Sequence, residues 1–570
     1  MLRRRLIYLL VVVALLGEMA FAMVTTAMQQ SPTIDEPVYV ATAEVYAQQH
    51  SLRYNPEHPP LGKLAIAVGM AFDGARLDPA FTGNQTLLGR HLLYESGNNP
   101  YRLMLAARLP MILLTLLFGL VVLGFARDLA GPWGGLVALA LYAFDPDLIA
   151  HGSLATLDVP TAGLLLTTFW MLWRARRRPR LYLPLAGVAL GAALATRMSA
   201  LPAIPAALLL IVLPPSLALL TYAQRAVRRL TSRGTQSKEP TTAAEQNDGQ
   251  AAPTGTQSNG GWRGLGARVL AAAGVGLVAV AVVWAVYLAV DPRLRWTTPV
   301  GVTNPGGLRG LAVDLLPFPK AYRDGMLIQF QFERESFNGF LLGDAYRGAR
   351  WYYLPVALLI KTPLGMMALW LAGAVTMLVK PALRVAALYL LLPAAVLMLV
   401  AMTGARDFGT RYVIFMPMFL AVAAGTVVLI RWRWAWVPTA ALVLFVAVSS
   451  LRTFPYYLPY SNEAFGGPSK THLNLHDANV DWGQDLARLA VRLKQHYPGQ
   501  QVWLVYKGSG VPAYYGITSK NPLAVPDAQV HGLLVVSDSR VALATGRLKQ
   551  LIDSSTPIDD VGHSITIYRR

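Results

Sequence analysis

The sequence predicts a polytopic α-helical membrane protein with a small α/β domain outside the bilayer. Three observations carry that expectation. The first is composition. Of 570 residues, 54% are hydrophobic and only 14% are charged, whereas a soluble domain carries about 25% charged residues. The second is a series of apolar runs such as "LIYLLVVVALLGEMAFAMV" and "VLAAAGVGLVAVAVVWAVYLAV". Each is close to the roughly 20 residues that cross a ~30 Å hydrocarbon core as a helix. The third is the placement of the cations. A net charge of +19 invites a nucleic-acid reading, but the basic residues cluster between the apolar runs, as the positive-inside rule requires of cytoplasmic loops.

The elements follow in order from that rule. The clusters are Arg3–Arg5, Arg174–Arg180, Arg225–Arg233, Arg263 with Arg268, Lys380 with Arg384, and Arg431 with Arg433. Placed on one side, they constrain about eleven helices, near 6–24, 103–125, 133–150, 157–174, 181–197, 200–222, 268–290, 353–379, 384–402, 411–430 and 434–450. The count is odd, so the N-terminus is expected in the cytoplasm and the C-terminus outside, in a plasma membrane. "MLRRRLIYLLVVVALLGEMAFA" starts as a signal peptide would, yet its apolar run exceeds the usual 7–15 residues. A retained first helix is expected. The chain has no cysteine, hence no disulfide and no thiolate metal site.

Residues 1–451 are therefore expected to form the transmembrane domain, interrupted outside by loops at 25–102 and 291–352. Residues 231–261 contain no Val, Ile, Leu, Met or aromatic residue, and a disordered cytoplasmic linker is expected there. Residues 452–570 are expected outside the membrane, with the α/β fold over roughly 476–570. "DWGQDLARLAVRLKQHYPGQ" spaces Leu486, Leu489, Val491 and Leu493 as a helix with Gly499 as its stop signal. "QVWLVYKG", "GLLVVSD" and "SITIYRR" read as strands.

Several polar residues stand where chemistry could occur. Asp35 and Glu36 lie about ten residues beyond the first helix. A solvated loop pair is the ordinary reading, but a carboxylate there could also take a proton from an acceptor hydroxyl. Asp158 opens a helix with Pro160, which suits the helix dipole. It also suits a carboxylate facing a cavity at membrane depth. Lys63 follows "HPPLG", where His58, Pro59 and Pro60 make a rigid turn. Arg197 has no opposite charge near it in sequence. Lys361 reads as a snorkelling lysine. Arg406 and Arg411 flank "DFGT", with Asp407 as the neighbouring partner of Arg406. Cations on the outer side suit a phosphate or diphosphate leaving group.

"DE" at 35–36 followed by "HPPLGK" at 58–63 resembles the protein O-mannosyltransferase family and its bacterial relatives, the lipid-carrier-dependent glycosyltransferases of the GT-C fold. "ATLD" at 155–158 and "LATR" at 194–197 look like the second acidic and a basic position of that family. "LLGDAYRGARWYYLPVALLIKTPLG", "RDFGTRYVIFMPM" and "YSNEAFGGPSK…DANVDWGQDL" look like segments of bacterial members. The resemblance spans residues 1 to about 490. It implies a hexosyltransferase that moves a sugar, with mannose as one candidate, from a polyprenyl-phosphate carrier to an acceptor hydroxyl of a protein, lipid or glycan. The transfer would be inverting and take place on the outer face.

Asp35 would be the base, with Glu36 and Asp158 as further catalytic carboxylates. Lys63, Arg197, Arg406 and Arg411 would bind the donor phosphate, and His58, Pro59 and Pro60 would support the site. Asp481, Trp482 and Gln484 would touch the acceptor or simply start the tail helix. No inserted sugar-binding trefoil domain is evident. No cofactor is implied; a divalent metal is permitted but not indicated. The alternative class is a transporter or flippase of lipid-linked sugars, which would favour inverted repeats, and none is evident.

Overall fold

The structure is a computed structural model and describes residues 2–213 and 264–570. The linker expected at 231–261, the end of the sixth expected helix, Arg225–Arg233 and Arg263 lie outside those residues. The protein is a multi-pass helical membrane protein with a C-terminal sheet, as its composition requires.

The helices are α1 (Leu2–Gln29), α2 (Glu36–Gln49), α3 (Leu61–Met70), α4 (Gln85–Arg90), α5 (Pro100–Ala143), α6 (Pro146–Gly152), α7 (Asp158–Ala175), α8 (Pro179–Leu194) and α9 (Ala203–Val212). They continue as α10 (Leu265–Val290), α11 (Gly307–Leu315), α12 (Lys320–Phe332), α13 (Tyr353–Lys361), α14 (Leu364–Val379), α15 (Pro381–Ala401), α16 (Phe415–Ala424), α17 (Trp436–Thr453) and α18 (Leu486–His496). Among the described residues, five helices are long and apolar enough to cross a bilayer, and six if the bent pair α13–α14 is one span.

The departures from the expected spans have local causes. The expected 103–125 and 133–150 are two arms of α5, broken at Gly131, whose φ of 74° is followed by Pro132. The expected 353–379 turns by 117° between α13 and α14, where Thr362 precedes Pro363 and cannot easily stay helical. The expected 411–430 tightens into 3₁₀ turns at Thr410–Val413 and Gly425–Leu429. The expected outer loop 25–102 is itself largely helical, since α2, α3 and α4 bury an apolar core that they share with the start of α5 and with Ala155 and Leu157.

Close backbone approach holds the bundle together. "GVALG" puts Gly187 and Gly191 on one face of α8. A Cβ at Gly191 would lie 2.6 Å from the Ala279 carbonyl oxygen of α10. Without a hydrophobic driving force in lipid, such small-residue contacts supply much of helix association.

The tail forms a five-stranded mixed sheet in the order β4-β3-β5-β7-β6. A two-stranded hairpin, β1 (Asn338–Leu341) with β2 (Asp344–Arg347), precedes it between α12 and α13. The sheet strands are β3 (Val502–Val505), β4 (Ser519–Lys520), β5 (Leu533–Ser537), β6 (Thr556–Val561) and β7 (Ile565–Arg569). β3 runs parallel to β4 and β5, and β7 runs antiparallel to β5 and β6. Every residue of the central strand β5 is buried, because both faces of the sheet are covered. Leu486, Leu489 and Leu493 of α18 pack on one face with Leu533, Val535 and Ile567. Trp503, Leu534, Val536 and Leu551 fill the other. Val491, expected on the same stripe, is exposed, since it lies two residues from Leu489 and so off the 3.6-residue face. Tyr457, Leu458, Leu475 and Trp482 pack instead into the core of the membrane helices.

Two carboxyls in this region carry a pH dependence. Burial pushes Asp481 and Asp538 each up to about 7. Unfolded aspartates titrate near 4, so between about pH 4 and pH 7 the folded chain holds protons that the unfolded chain has lost. Their contribution to stability is full below pH 4, falls as pH rises through 7, and is flat above. Asp538→Asn should stabilise the protein at pH 8 by roughly 1–3 kcal/mol and flatten that fall. Thermal melts of parent and variant between pH 4 and pH 8 measure both effects.

Candidate active site

The site is organised around the six residues that join α1 to α2. Ser31 donates its backbone N–H to the Gln484 carbonyl at 2.9 Å, and Ile34 donates to the Trp482 carbonyl at 3.0 Å. The Ser31 hydroxyl donates to Gly483 O at 3.0 Å and accepts from Leu486 N at 3.0 Å. Ser509 donates to the Thr33 carbonyl at 2.8 Å. The loop after α1 and the start of the tail region are thus one joint, although about 450 residues separate them in sequence.

Glu36 fastens that joint to the bundle. Its carboxylate is fully buried and accepts a bidentate pair from Arg108 of α5, both at 2.7 Å. It also accepts from Thr33 N at 2.9 Å, Thr33 Oγ1 at 3.1 Å and Ala155 N at 2.8 Å. Arg108 spends its remaining donors on the carbonyls of Ala27, Gln30 and Ser31. Burial alone would raise the Glu36 pKa, but Arg108 and the two backbone donors outweigh it and hold it below the ordinary value. Five donors on two oxygens leave no lone pair for a substrate proton. The expected catalytic role of Glu36 is therefore corrected to a positioning one.

Asp35 is different. It precedes α2, its Oδ2 accepts from Arg411 Nη1 at 2.6 Å, and its side chain keeps 28% of its surface open. Among the described residues nothing donates to its Oδ1. Asp158, at the head of α7, is buried and paired with Arg197, the partner that sequence proximity did not supply.

The cations divide in the same way. Lys63 is fully buried and donates to Asn55 O at 2.9 Å, Asn55 Oδ1 at 3.0 Å and His58 O at 2.7 Å. All three ammonium protons are spent on the turn, so Lys63 fixes that turn and is not presented to a phosphate. The turn is also tied to the bundle. Pro60 precedes α3, and Leu61 donates to Ala195 O at 2.9 Å.

Arg406 pairs with Glu333 at 3.3 Å and donates to Gln329 at 2.9 Å. Its expected partner Asp407 instead accepts from Tyr346 at 2.7 Å and Arg350 N at 2.9 Å. Arg411 lies 4.4 Å over the Trp482 ring, and its Nε is buried without a partner. Burial, and then the charges of Arg197, Lys63, Arg406 and Arg411, hold His58 well below its ordinary pKa. Its ring is therefore neutral at pH 7, with Nδ1 buried and unpaired.

Asp481, Trp482 and Gln484 are buried at the joint, not exposed to an acceptor. Asp481 accepts from Gly483 N at 3.1 Å, and Gln484 donates to Val480 O at 3.0 Å and accepts from Trp482 N at 2.8 Å. Their expected acceptor contact is corrected to a structural one, with Trp482 serving as the platform under Arg411.

Two residues passed unnoticed in the sequence. Arg108 lies within an expected span, and so does Asp147. Asp147 Oδ1 pairs with Lys361 at 3.0 Å and its Oδ2 accepts from Thr410 at 2.6 Å. Lys361 is buried, not snorkelling, and also donates to Leu458 O at 2.6 Å. Asn479 extends this network by accepting from Thr410 N at 3.0 Å and donating to Tyr353 at 2.9 Å. A charge inside an apolar run needs a partner, and that signal was present at Arg108, Asp147 and Lys361. Among the described residues, no group of three His, Asp or Glu side chains converges as metal ligands.

Residues 102–225 match the family model described as dolichyl-phosphate-mannose-protein mannosyltransferase. The match begins within α5 and covers less than a quarter of the chain. Among solved structures the chain is similar to ArnT from Cupriavidus metallidurans in the apo state, with TM-score 0.48 and 15% identity over 98% of this chain and 97% of that one. The same protein bound to undecaprenyl phosphate gives TM-score 0.45 and 14% identity over the same shares. The archaeal oligosaccharyltransferase AglB from Archaeoglobus fulgidus, in complex with an inhibitory peptide and a dolichol-phosphate, gives 0.42 and 12% over 86% of this chain and 58% of that one. No curated protein matches the chain.

Removing one member of a buried pair strands the other charge at a cost of about 3–5 kcal/mol. Arg108→Ala should therefore lower the yield of monodisperse protein sharply, and Arg108→Lys should rescue it only in part, because lysine lacks the fork that grips Glu36. Size-exclusion profiles and thermal melts in detergent test both outcomes.

Proposed function

We propose that this protein is a lipid-carrier-dependent glycosyltransferase that moves a sugar from a polyprenyl-phosphate donor to an acceptor hydroxyl. The observation that carries the reading is the contrast between adjacent carboxylates. Glu36 is locked, while Asp35 keeps one oxygen free and part of its surface open beside Arg411. The related family segment supplies the donor class, and mannose is the first sugar to test.

In this mechanism the acceptor hydroxyl gives its proton to Asp35 Oδ1. Its oxygen then attacks the anomeric carbon from the face opposite the phosphate, and the carbon–oxygen bond to the carrier breaks with inversion. The phosphate leaves with the bonding electrons toward Arg411, Arg197 and Arg406. Preorganised cations stabilise such a developing charge more in a water-poor site than in bulk water. Asp158 orients Arg197, and Arg411 orients Asp35. The lipid tail stays in the bilayer throughout.

Asp35→Asn should reduce turnover by about 10²–10⁴-fold and leave donor binding nearly unchanged. Arg411→Ala should weaken donor binding by about 1.5–3 kcal/mol. Turnover and binding in nanodiscs, with polyprenyl-phosphate mannose compared against the matching nucleotide sugar, test the pair. Near-normal turnover of a folded Asp35→Asn protein would remove the base assignment, and efficient use of the nucleotide sugar would remove the lipid carrier.

The reaction is placed on the outer face, with the C-terminal domain on that side and the N-terminus in the cytoplasm. The natural chain has no cysteine, so a single introduced cysteine reports topology without background. An impermeant thiol reagent added outside should label Lys470→Cys and miss Ala382→Cys. The reverse pattern would invert the orientation.

A further inference from the structure

α7 carries Asp158 at one end and Arg174 at the other, about 24 Å apart at 1.5 Å per residue. At the Arg174 end lies a cleft of about 980 Å³. It forms where α7 turns into α8, where α14 turns into α15, and against Leu429 and Arg431. Its wall carries Arg174, Arg176, Arg177, Arg178, Lys380 and Arg431 against a single acid, Asp128. That acid is already spent. It accepts from Arg174 at 2.7 Å and from Trp170 at 2.8 Å. Arg176 lies 4.6 Å over the Trp173 ring. Among the described residues, the side chains of Arg177, Arg178, Lys380 and Arg431 have no acidic partner. Four uncompensated cations therefore line one cavity.

The rest of the cleft indicates which anion fits. Its remaining wall is apolar or aromatic, with Leu129, Leu383, Leu429 and Tyr182. Directly beside it the chain reads "RWRWAW" at 431–436, and Trp432, Trp434 and Trp436 are all exposed. Exposed tryptophans among basic residues mark the headgroup level of a bilayer. Leu378 and Val379, just before Lys380, are exposed as well and offer an apolar track for acyl chains. A soluble anion would need only the cations; a lipid also accounts for the tryptophans and the apolar wall. Basic pockets between membrane helices on the cytoplasmic side are suited to lipid phosphates.

We propose that this cleft binds the phosphate headgroup of an anionic phospholipid, on the membrane face opposite Asp35. The site is separate from the sugar-transfer centre and stands whatever that centre's acceptor proves to be.

The test uses the full chain with a single Ala382→Cys, which lines the cleft and carries a fluorophore. The protein is placed in phosphatidylcholine nanodiscs containing equal fractions of brominated phosphatidylglycerol or brominated phosphatidylcholine. The brominated anionic lipid should quench the label several-fold more strongly. Combining Arg177→Gln, Arg178→Gln, Lys380→Gln and Arg431→Gln should abolish the preference, at roughly five-fold per cation.

Equal quenching by both lipids, or a preference that survives the four substitutions, would overturn the proposal. A saturable response to inorganic phosphate in discs lacking anionic lipid, equal to the lipid response, would reassign the cleft to a soluble anion and also overturn it. Should the fourfold variant melt below the parent, Arg177→Gln and Arg431→Gln alone carry the test, each expected to lower the preference.

Discussion

The geometry of the site depends on the buried pair between Glu36 and Arg108. A bidentate guanidinium–carboxylate contact fixes both direction and distance, and in a medium of low dielectric neither partner can leave without stranding the other. Glu36 is the neighbour of Asp35 in the chain, so fixing one peptide fixes the start of the other's side chain. The same arginine holds the carbonyls of Ala27, Gln30 and Ser31, which ends α1 where it ends. One residue of α5 thus sets the exit of the first helix, the entry of the second, and the aim of the carboxylate between them. The tail domain completes the arrangement through Gly483, Gln484 and Leu486.

Identical residue types take opposite roles here because of what surrounds them. Lys63 and Lys361 are buried lysines with every proton engaged, one by a turn, the other by Asp147 and two carbonyls. Both build the frame. Arg411 and Arg197 are also paired, but each with an aspartate at the opening of a helix, and the charges of both act on His58. Pairing keeps these charges in the protein without a ligand.

The two ends of α7 divide the labour of the molecule. At Asp158 the charges are paired, buried and aimed inward. At Arg174 they are mostly unpaired, exposed and set among tryptophans. The Asp158 end is built by tertiary contacts, and the Arg174 end by local sequence in "RARRRPR" and "RWRWAW".

The sequence by itself determined the class of the protein and much of its inventory. Apolar runs and basic loops determine a bundle of membrane helices, because a chain with so few charges cannot solvate itself in water. Alternating short strands and one amphipathic helix determine an α/β tail, since those periods are local. Asp35, Asp158, Arg197 and Arg411 were all legible as candidates.

Only the tertiary structure decided which of them keep open surface and a free oxygen. Burial and hydrogen-bond supply depend on residues far away in the chain. Glu36 is closed by Arg108, 72 positions on. Trp482 reaches Arg411 only because the tail folds back over the first loop. Gly131 with Pro132 breaks one helix, and Thr362 with Pro363 bends another, and those local signals were present but outweighed by the apolar runs around them. A carboxylate's type is written in the sequence, whereas its free lone pair is a property of everything packed against it.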